Sequence, residues 1–147
     1  MPTRPTVAVT IATRNEEENI RSCLESVKWA DEIVIVDDMS TDDTVAICRE
    51  YTDKIIQHAS RGSFHVNKNL AIDTATSEWI LSLDADETVT PALQGELQKV
   101  ITENNGRFLG YYLCRKNYFL GKWIRGCGWF PELCFTALQK RFGRMAA

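Results

Sequence analysis

Two carboxylates one residue apart, in Asp84-Ala85-Asp86, are the plainest candidates for chemistry in the sequence. They follow the apolar run Trp79-Ile80-Leu81-Ser82-Leu83 and so stand on the exit of a strand. Carboxylates at i and i+2 on a non-helical exit can address one hard cation and the ligand that cation carries. Mg2+ or Mn2+ suits such a place, because each takes few protein oxygens and fills its shell with phosphate oxygens and water. Taken alone, an Asp-x-Asp pair is more often a solvated strand exit. A second acidic run, Asp37-Asp38-Met39-Ser40-Thr41-Asp42-Asp43-Thr44, follows another apolar strand, Ile33-Val34-Ile35-Val36. A third polar cluster, residues 12–17, follows Val7-Ala8-Val9-Thr10-Ile11.

The elements between these clusters decide whether they meet. After the first strand, Ile20, Cys23, Leu24 and Val27 recur at helical spacing. Asn15 with Glu18 predicts a capping box for that helix, and Glu16, Glu17 and Glu18 suit the positive end of its dipole. Asn15, Ser40 and Asp42 are therefore expected to serve as helix caps. Val45, Ala46 and Cys48 suggest a short helix, Lys54-Ile55-Ile56-Gln57 a third strand, and residues 66–75 a further helix. Thr90 as cap and Pro91 at the first helical position open another, with Leu93, Leu97, Val100 and Ile101 on one face. Gly110 to Arg115 reads as a fifth strand. Strands alternating with helices imply an α/β fold with a largely parallel sheet flanked by helices. Ligands of such sheets lie beyond the carboxyl ends of the strands, so the three clusters are expected to converge there.

The 147 residues allow one domain. Apolar types make up 44% and charged types 25%, the balance of a globular protein. A net charge of −3 argues against a nucleic-acid partner bound through a globally basic surface. No apolar run approaches the roughly 18 residues of a transmembrane helix, and the first residues do not read as a signal peptide. The five cysteines are dispersed and lack a CxxC pair, which fits reduced thiols and a cytoplasmic location better than disulfides or zinc. His58 and His65 are the two histidines, and isolated imidazoles of this kind are expected in loops or on the surface.

The runs Val9-Thr10-Ile11-Ala12-Thr13-Arg14-Asn15-Glu16-Glu17, Ile35-Val36-Asp37-Asp38-Met39-Ser40-Thr41-Asp42 and Leu81-Ser82-Leu83-Asp84-Ala85-Asp86-Glu87, in this order and spacing, resemble the family 2 glycosyltransferases with a GT-A fold. Asn67-Lys68-Asn69-Leu70-Ala71 is similar to that family's basic segment before the Asp-x-Asp strand. The resemblance covers about residues 6–131. The stretch Lys116-Asn117-Tyr118-Phe119-Leu120-Gly121-Lys122-Trp123-Ile124-Arg125-Gly126-Cys127-Gly128-Trp129 looks like the bacterial lipopolysaccharide-core members, which add a sugar, typically glucose, to an inner-core saccharide. From the residues alone it reads equally as an aromatic β-rich lobe or as a surface for an amphiphilic, phosphate-bearing acceptor.

The resemblance implies an inverting, metal-dependent transferase using a nucleotide-sugar, with UDP-glucose the expected donor and a lipopolysaccharide-core acceptor. It places Asp86 on the Mg2+ or Mn2+ bridging the phosphates and Asp84 on the ribose or the metal's outer shell. It places Asp38, with Asp37, at the base edge of uracil, and Ala12 and Arg14 in the turn covering the base. The family often has an aromatic at the position of Arg14, and a guanidinium can also stack. Glu17 and Lys68 are further donor-site candidates. The chain then divides into a donor half, residues 6–105, and the start of an acceptor half, residues 106–131.

Residues 132–147 depart from the family's pattern. Core members read acidic or Asn, then Tyr, then a Leu-Arg-Leu-Phe/Tyr-like strand. A permissible set of codons for Glu132 to Leu138, shifted by one base, encodes Asn-Tyr-Ala-Leu-Arg-Leu-Tyr. The expectation is a frameshifted tail that ends the chain early, and the gene's nucleotide sequence tests it. The acceptor half would then be incomplete, without its general base, and the chain a nucleotide-diphosphate-binding remnant of weak or no activity. Tyr111, Tyr112, Tyr118, Phe119, Trp123, Trp129 and Phe130 would lose cover and favour self-association or peripheral adherence to a membrane.

Overall fold

The computed structural model describes residues 4–125 and 132–140. Strands β1 (Val7–Thr13), β2 (Glu32–Asp37), β3 (Ile55–Gln57) and β4 (Trp79–Asp84) alternate with helices α1 (Ile20–Ser26), α2 (Thr44–Cys48) and α3 (Phe64–Thr74). Helix α4 (Pro91–Glu103) leads to β5 (Gly110–Arg115), a small hairpin β6 (Tyr118–Phe119) and β7 (Lys122–Trp123), and β8 (Glu132–Gln139). The main sheet has the order β3-β2-β1-β4-β8-β5. β3, β2, β1 and β4 run parallel, while β8 is antiparallel to both β4 and β5.

Every residue of β1 is buried, as a central parallel strand covered on both faces requires. Val7, Val9 and Ile11 point to the side of α1 and α4, packing with Ile20, Leu24, Leu97 and Ile101. Ala8 belongs to the cluster on the other face, where Val34, Val36 and Ile80 meet Ala71, Ile72 and Ala75 from α3 and its end. The period-2 alternation of β1 thus sorts its side chains between two helical layers. The sheet order reverses between β1 and β4, which makes their carboxyl ends the switch point at which sheets of this kind take ligands.

Helix α4 begins as its sequence indicates, with Thr90 accepting from Leu93 N–H at 3.2 Å and Pro91 in the first turn. Helix α1 does not. It starts at Ile20, its cap Asn19 makes no side-chain cap bond, and the first turn holds no acid. Asn15 sits at φ 51°, a conformation asparagine tolerates. Its side chain accepts from Thr41 N–H at 2.8 Å, and its own N–H donates to Ser40 Oγ. Pairing with the loop after β2 displaced the capping box. The cap position of α2 is Asp43, which makes no side-chain cap bond; Asp42, one residue earlier, accepts from Thr44 N–H and Thr44 Oγ1, and Ser40 serves the loop contact instead.

The segment expected to depart from the family's pattern forms a strand. β8 lies between β4 and β5, with Ala137 and Leu138 buried, and it is bulged between Tyr111 and Tyr112 on the β5 side. The expectation of uncovered aromatics holds for Tyr112, Tyr118 and Phe119, which are 64–66% exposed, but not for Tyr111. That ring lies 5.6 Å from Trp79 and 5.9 Å from Phe108, and its hydroxyl reaches Val100 O and Asn104 Oδ1. Trp129 and Phe130 lie outside the described residues.

Candidate nucleotide-sugar site

The sheet register brings the acidic residues to neighbouring positions at one edge. Thr13 pairs with Asp37, Asp37 with Gln57, and Ala12 with both Val36 and Asp84. The three polar clusters therefore share the carboxyl edge of β1, β2 and β4. Two loops there are knitted together: besides the Asn15 contacts, Glu16 N–H donates to Thr44 Oγ1. Glu17 N–H donates to Asp42 Oδ2, and Glu17 Oε2 accepts from Asp43 N–H. Glu17 is thus a brace between the loops that frame this edge.

Asp37 is fully buried and accepts from Ser40 N–H, Ser40 Oγ and Gln57 Nε2. Asp38, 8% exposed, accepts from Ser60 N–H at 2.8 Å on one oxygen and from Ser60 Oγ at 2.7 Å on the other. Those two Ser60 bonds hold its carboxyl below the usual carboxylate range, with Arg14 and His58 adding to the effect. Arg14, 64% exposed at its side chain, lies 3.8 Å from Asp38 Oδ2. Its guanidinium thus stands at the surface beside the Asp38 carboxylate. Ala12 is buried at the floor between β2 and β4.

Around the Asp-x-Asp turn, Asp84 and Asp86 differ. Asp84 is held on two sides, by Lys68 Nζ at 2.6 Å from Oδ1 and by an Arg115 nitrogen at 3.9 Å from Oδ2. Asp86 is exposed and has no hydrogen bond or ion pair among the described residues. Glu87 closes the turn: its carboxylate accepts from Asp84 N–H at 2.8 Å and from Arg115 Nε at 2.6 Å. Burial raises the Glu87 carboxyl, a shift that its Asp84 hydrogen bond and Arg115 oppose. Arg115, at the end of β5, is the residue of this site that sequence reasoning missed. Its signal is its position at the carboxyl end of a predicted strand on the same sheet edge. Asn67, in the basic segment, is buried and bonds to His58 through Nδ1 and the carbonyl, so it positions α3.

No group of three or more His, Cys, Asp or Glu suited to enclose a metal occurs among the described residues. The donor set fits a cation held partly by its ligand: Asp86 offers an uncommitted carboxylate, Asp84 one that a cation would share with Lys68. This is the chemistry of a phosphate-bound Mg2+ or Mn2+, not of an all-protein cage.

The architecture and the placement of acids at the β1/β2/β4 edge define a GT-A glycosyltransferase fold. The model for glycosyl transferase family 2 matches residues 8–144, and the chain belongs to that family. It is 36% identical over 109 residues to an uncharacterized glycosyltransferase of Rickettsia felis, covering 73% of this chain and 38% of the relative. It is 31% identical over 123 residues to the lipopolysaccharide core biosynthesis glycosyltransferase LpsC of Rhizobium meliloti, covering 80% and 43% respectively. The chain therefore spans less than half the length of these relatives. Among solved structures it resembles the mannosyltransferase PcManGT of Pyrobaculum calidifontis, in complex with GDP-Man and Mn2+, with TM-score 0.64 and 26% identity over 79% of this chain and 37% of that one. It also resembles S. aureus TarS 1-349 in complex with UDP-GlcNAc, with TM-score 0.59 and 29% identity over 67% and 31%.

Proposed function

We propose that this chain binds a nucleotide-sugar and a divalent cation and carries the donor half of an inverting glycosyl transfer. The observation that carries this is the register that brings Asp37 and Asp84 to neighbouring positions on either side of β1, Asp37 beside Thr13 and Asp84 beside Ala12, with the uncommitted Asp86 just beyond. Asp38 faces the uracil edge, where its carboxylate accepts the ring N–H that cytosine lacks. Arg14 covers the base, and Ala12 leaves room below it. Asp86, with Asp84, would hold Mg2+ or Mn2+, a metal whose charge would stabilise a diphosphate leaving group. UDP-glucose as donor and a lipopolysaccharide inner-core saccharide as acceptor are what the sequence resemblance implies, and the likeness to LpsC supports a lipopolysaccharide-core role. The binding of UDP-GlcNAc and GDP-Man by the structural neighbours supports the nucleotide-sugar class.

The exposed hairpin supports contact with an amphiphilic acceptor at a membrane surface. Tyr118, Phe119 and Leu120 are exposed at its tip. Lys116 and Arg125 flank Trp123 at 5.0 and 4.1 Å from its ring centroid. Among the described residues, no helix is long and apolar enough to cross a membrane, so such contact would be peripheral.

A second reading is binding of the nucleotide diphosphate without turnover. The engagement of Glu87 favours it, because that carboxylate is tied to Arg115 and Asp84 N–H and is not placed to take a proton from an acceptor. Thermal denaturation with UDP, with and without Mn2+, tests the shared core of both readings. Stabilisation by UDP that grows with Mn2+ is expected, and no response to any nucleoside diphosphate overturns them. Release of UDP from UDP-glucose then separates the two.

A further inference from the structure

Two cations stand against the acidic turn after β4, and they are held in different ways. Arg115 is anchored twice, with Nε on Glu87 at 2.6 Å and a terminal nitrogen 3.9 Å from Asp84. A planar guanidinium spread over two carboxylates is a fixed strut. Among the described residues Lys68 forms one ion pair, with Asp84 at 2.6 Å, and its side chain is 18% exposed. Its ammonium also lies 5.2 Å from the centroid of the exposed Phe64 ring, one helical turn earlier on α3. An ammonium is a compact point charge on a flexible stem and can change partner without repacking.

The charges around the turn say when it would do so. Two carboxylates, Asp84 and Glu87, pair with these cations and Asp86 stands beside them in the same turn, so the Lys68 charge offsets a locally acidic cluster. A divalent cation held by Asp84 and Asp86 would supply that neutralisation and repel the ammonium, and the diphosphate bound with it would offer the ammonium a new anion.

We propose that Lys68 is an exchangeable counter-ion: its ammonium neutralises Asp84 in the nucleotide-free chain and moves to a diphosphate oxygen when a divalent cation takes its place. The inference rests on the nucleotide-diphosphate reading of the site and adds the residue that couples its two ligands. No covalent bond changes in the exchange. Metal and nucleotide then bind with positive coupling, because each removes an obstacle to the other.

The test is binding of Mn2+ alone, of UDP alone and of both together to the full chain, by calorimetry and by the loss of the free Mn2+ paramagnetic signal. Lys68→Met keeps the stem, and Lys68→Gln supplies a second variant should the first fold poorly. With the competitor gone, Mn2+ alone is expected to bind tighter by roughly three- to tenfold. The factor by which Mn2+ strengthens UDP binding is expected to fall by about fivefold or more. A purely structural role for Lys68 would weaken both ligands together. In an Asp84→Asn background the Lys68 substitution is expected to leave Mn2+ affinity unchanged, because the pair it breaks is already absent. Unchanged or weaker Mn2+ affinity in both Lys68 variants, or an intact coupling factor, overturns the exchange alone. A wild-type chain that binds neither Mn2+ nor UDP overturns the exchange together with the site reading beneath it.

Discussion

Arg115 Nε donates to Glu87 Oε1 at 2.6 Å, joining the end of β5 to the turn after β4 although β8 stands between those strands. Among the described residues β8 pairs with β4 along Trp79–Leu81 and not along the carboxyl half of β4, which makes the span possible. The site edge is thus closed by a side chain where the backbone ladder stops.

Replacing Arg115 by Met should leave Glu87 without its cation while the carboxylate stays largely buried. A loss of about 1 to 3 kcal/mol in urea denaturation at neutral pH is expected. Arg115→Lys should recover part of it, since the ammonium restores the charge but not the fork. Unchanged stability in Arg115→Met would show that the strut carries no strain-free load on the turn.

Glu32 makes the clearest pH prediction. Burial acts to raise its carboxyl, but Lys54, the N–H of Thr76, and the hydroxyl and N–H of Ser77 outweigh burial and hold it at about 2. The folded value lies below the unfolded one of 4.5, so its contribution is fully present above pH 4.5 and is lost as pH falls towards 2. That contribution is roughly 2 to 3 kcal/mol. Glu32→Gln should flatten the acid limb of a stability–pH profile, and an acid limb identical to wild type would refute the assignment.

Asp38→Ala should weaken uridine nucleotides selectively, by roughly 10- to 100-fold for a lost charge-assisted bond. Ser60→Ala should do so more mildly, because Ser60 N–H still orients the carboxylate. Titration with UDP, GDP and CDP reads the difference. An equal loss for all three nucleotides, or none, rejects the base-edge role.

Asp86→Ala should abolish the Mn2+-dependent part of UDP binding and leave unfolding within about 0.5 kcal/mol of wild type, as for an exposed residue with no partner among the described residues. UDP binding that still strengthens with Mn2+ in this variant would remove the metal role.

The alternation of apolar strands with amphipathic helices was legible in the residues because burial on two faces demands continuous runs such as Ile33-Val34-Ile35-Val36. The placement of Asp37-Asp38 and Asp84-Ala85-Asp86 at strand exits was legible for the same reason, since the apolar run ends where the sheet does. What the neighbours of those residues do was not. Asn15 and Glu18 carry a helix-capping pattern, yet loop-to-loop hydrogen bonds with Ser40 and Thr41 claimed Asn15, because partners 25 and 26 residues away outcompeted local ones. Glu132 to Gln139 show no clear strand signature, and their place inside the sheet comes from pairing with β4 and β5. Likewise Lys68, Arg115 and Ser60 become parts of one acidic site only when α3, β5 and the loop after β3 fold against β2 and β4. Local sequence determines which groups stand at the sheet edge. Tertiary contacts decide which charge each of them faces, because an ion pair depends on distances in space that spacing along the chain does not record.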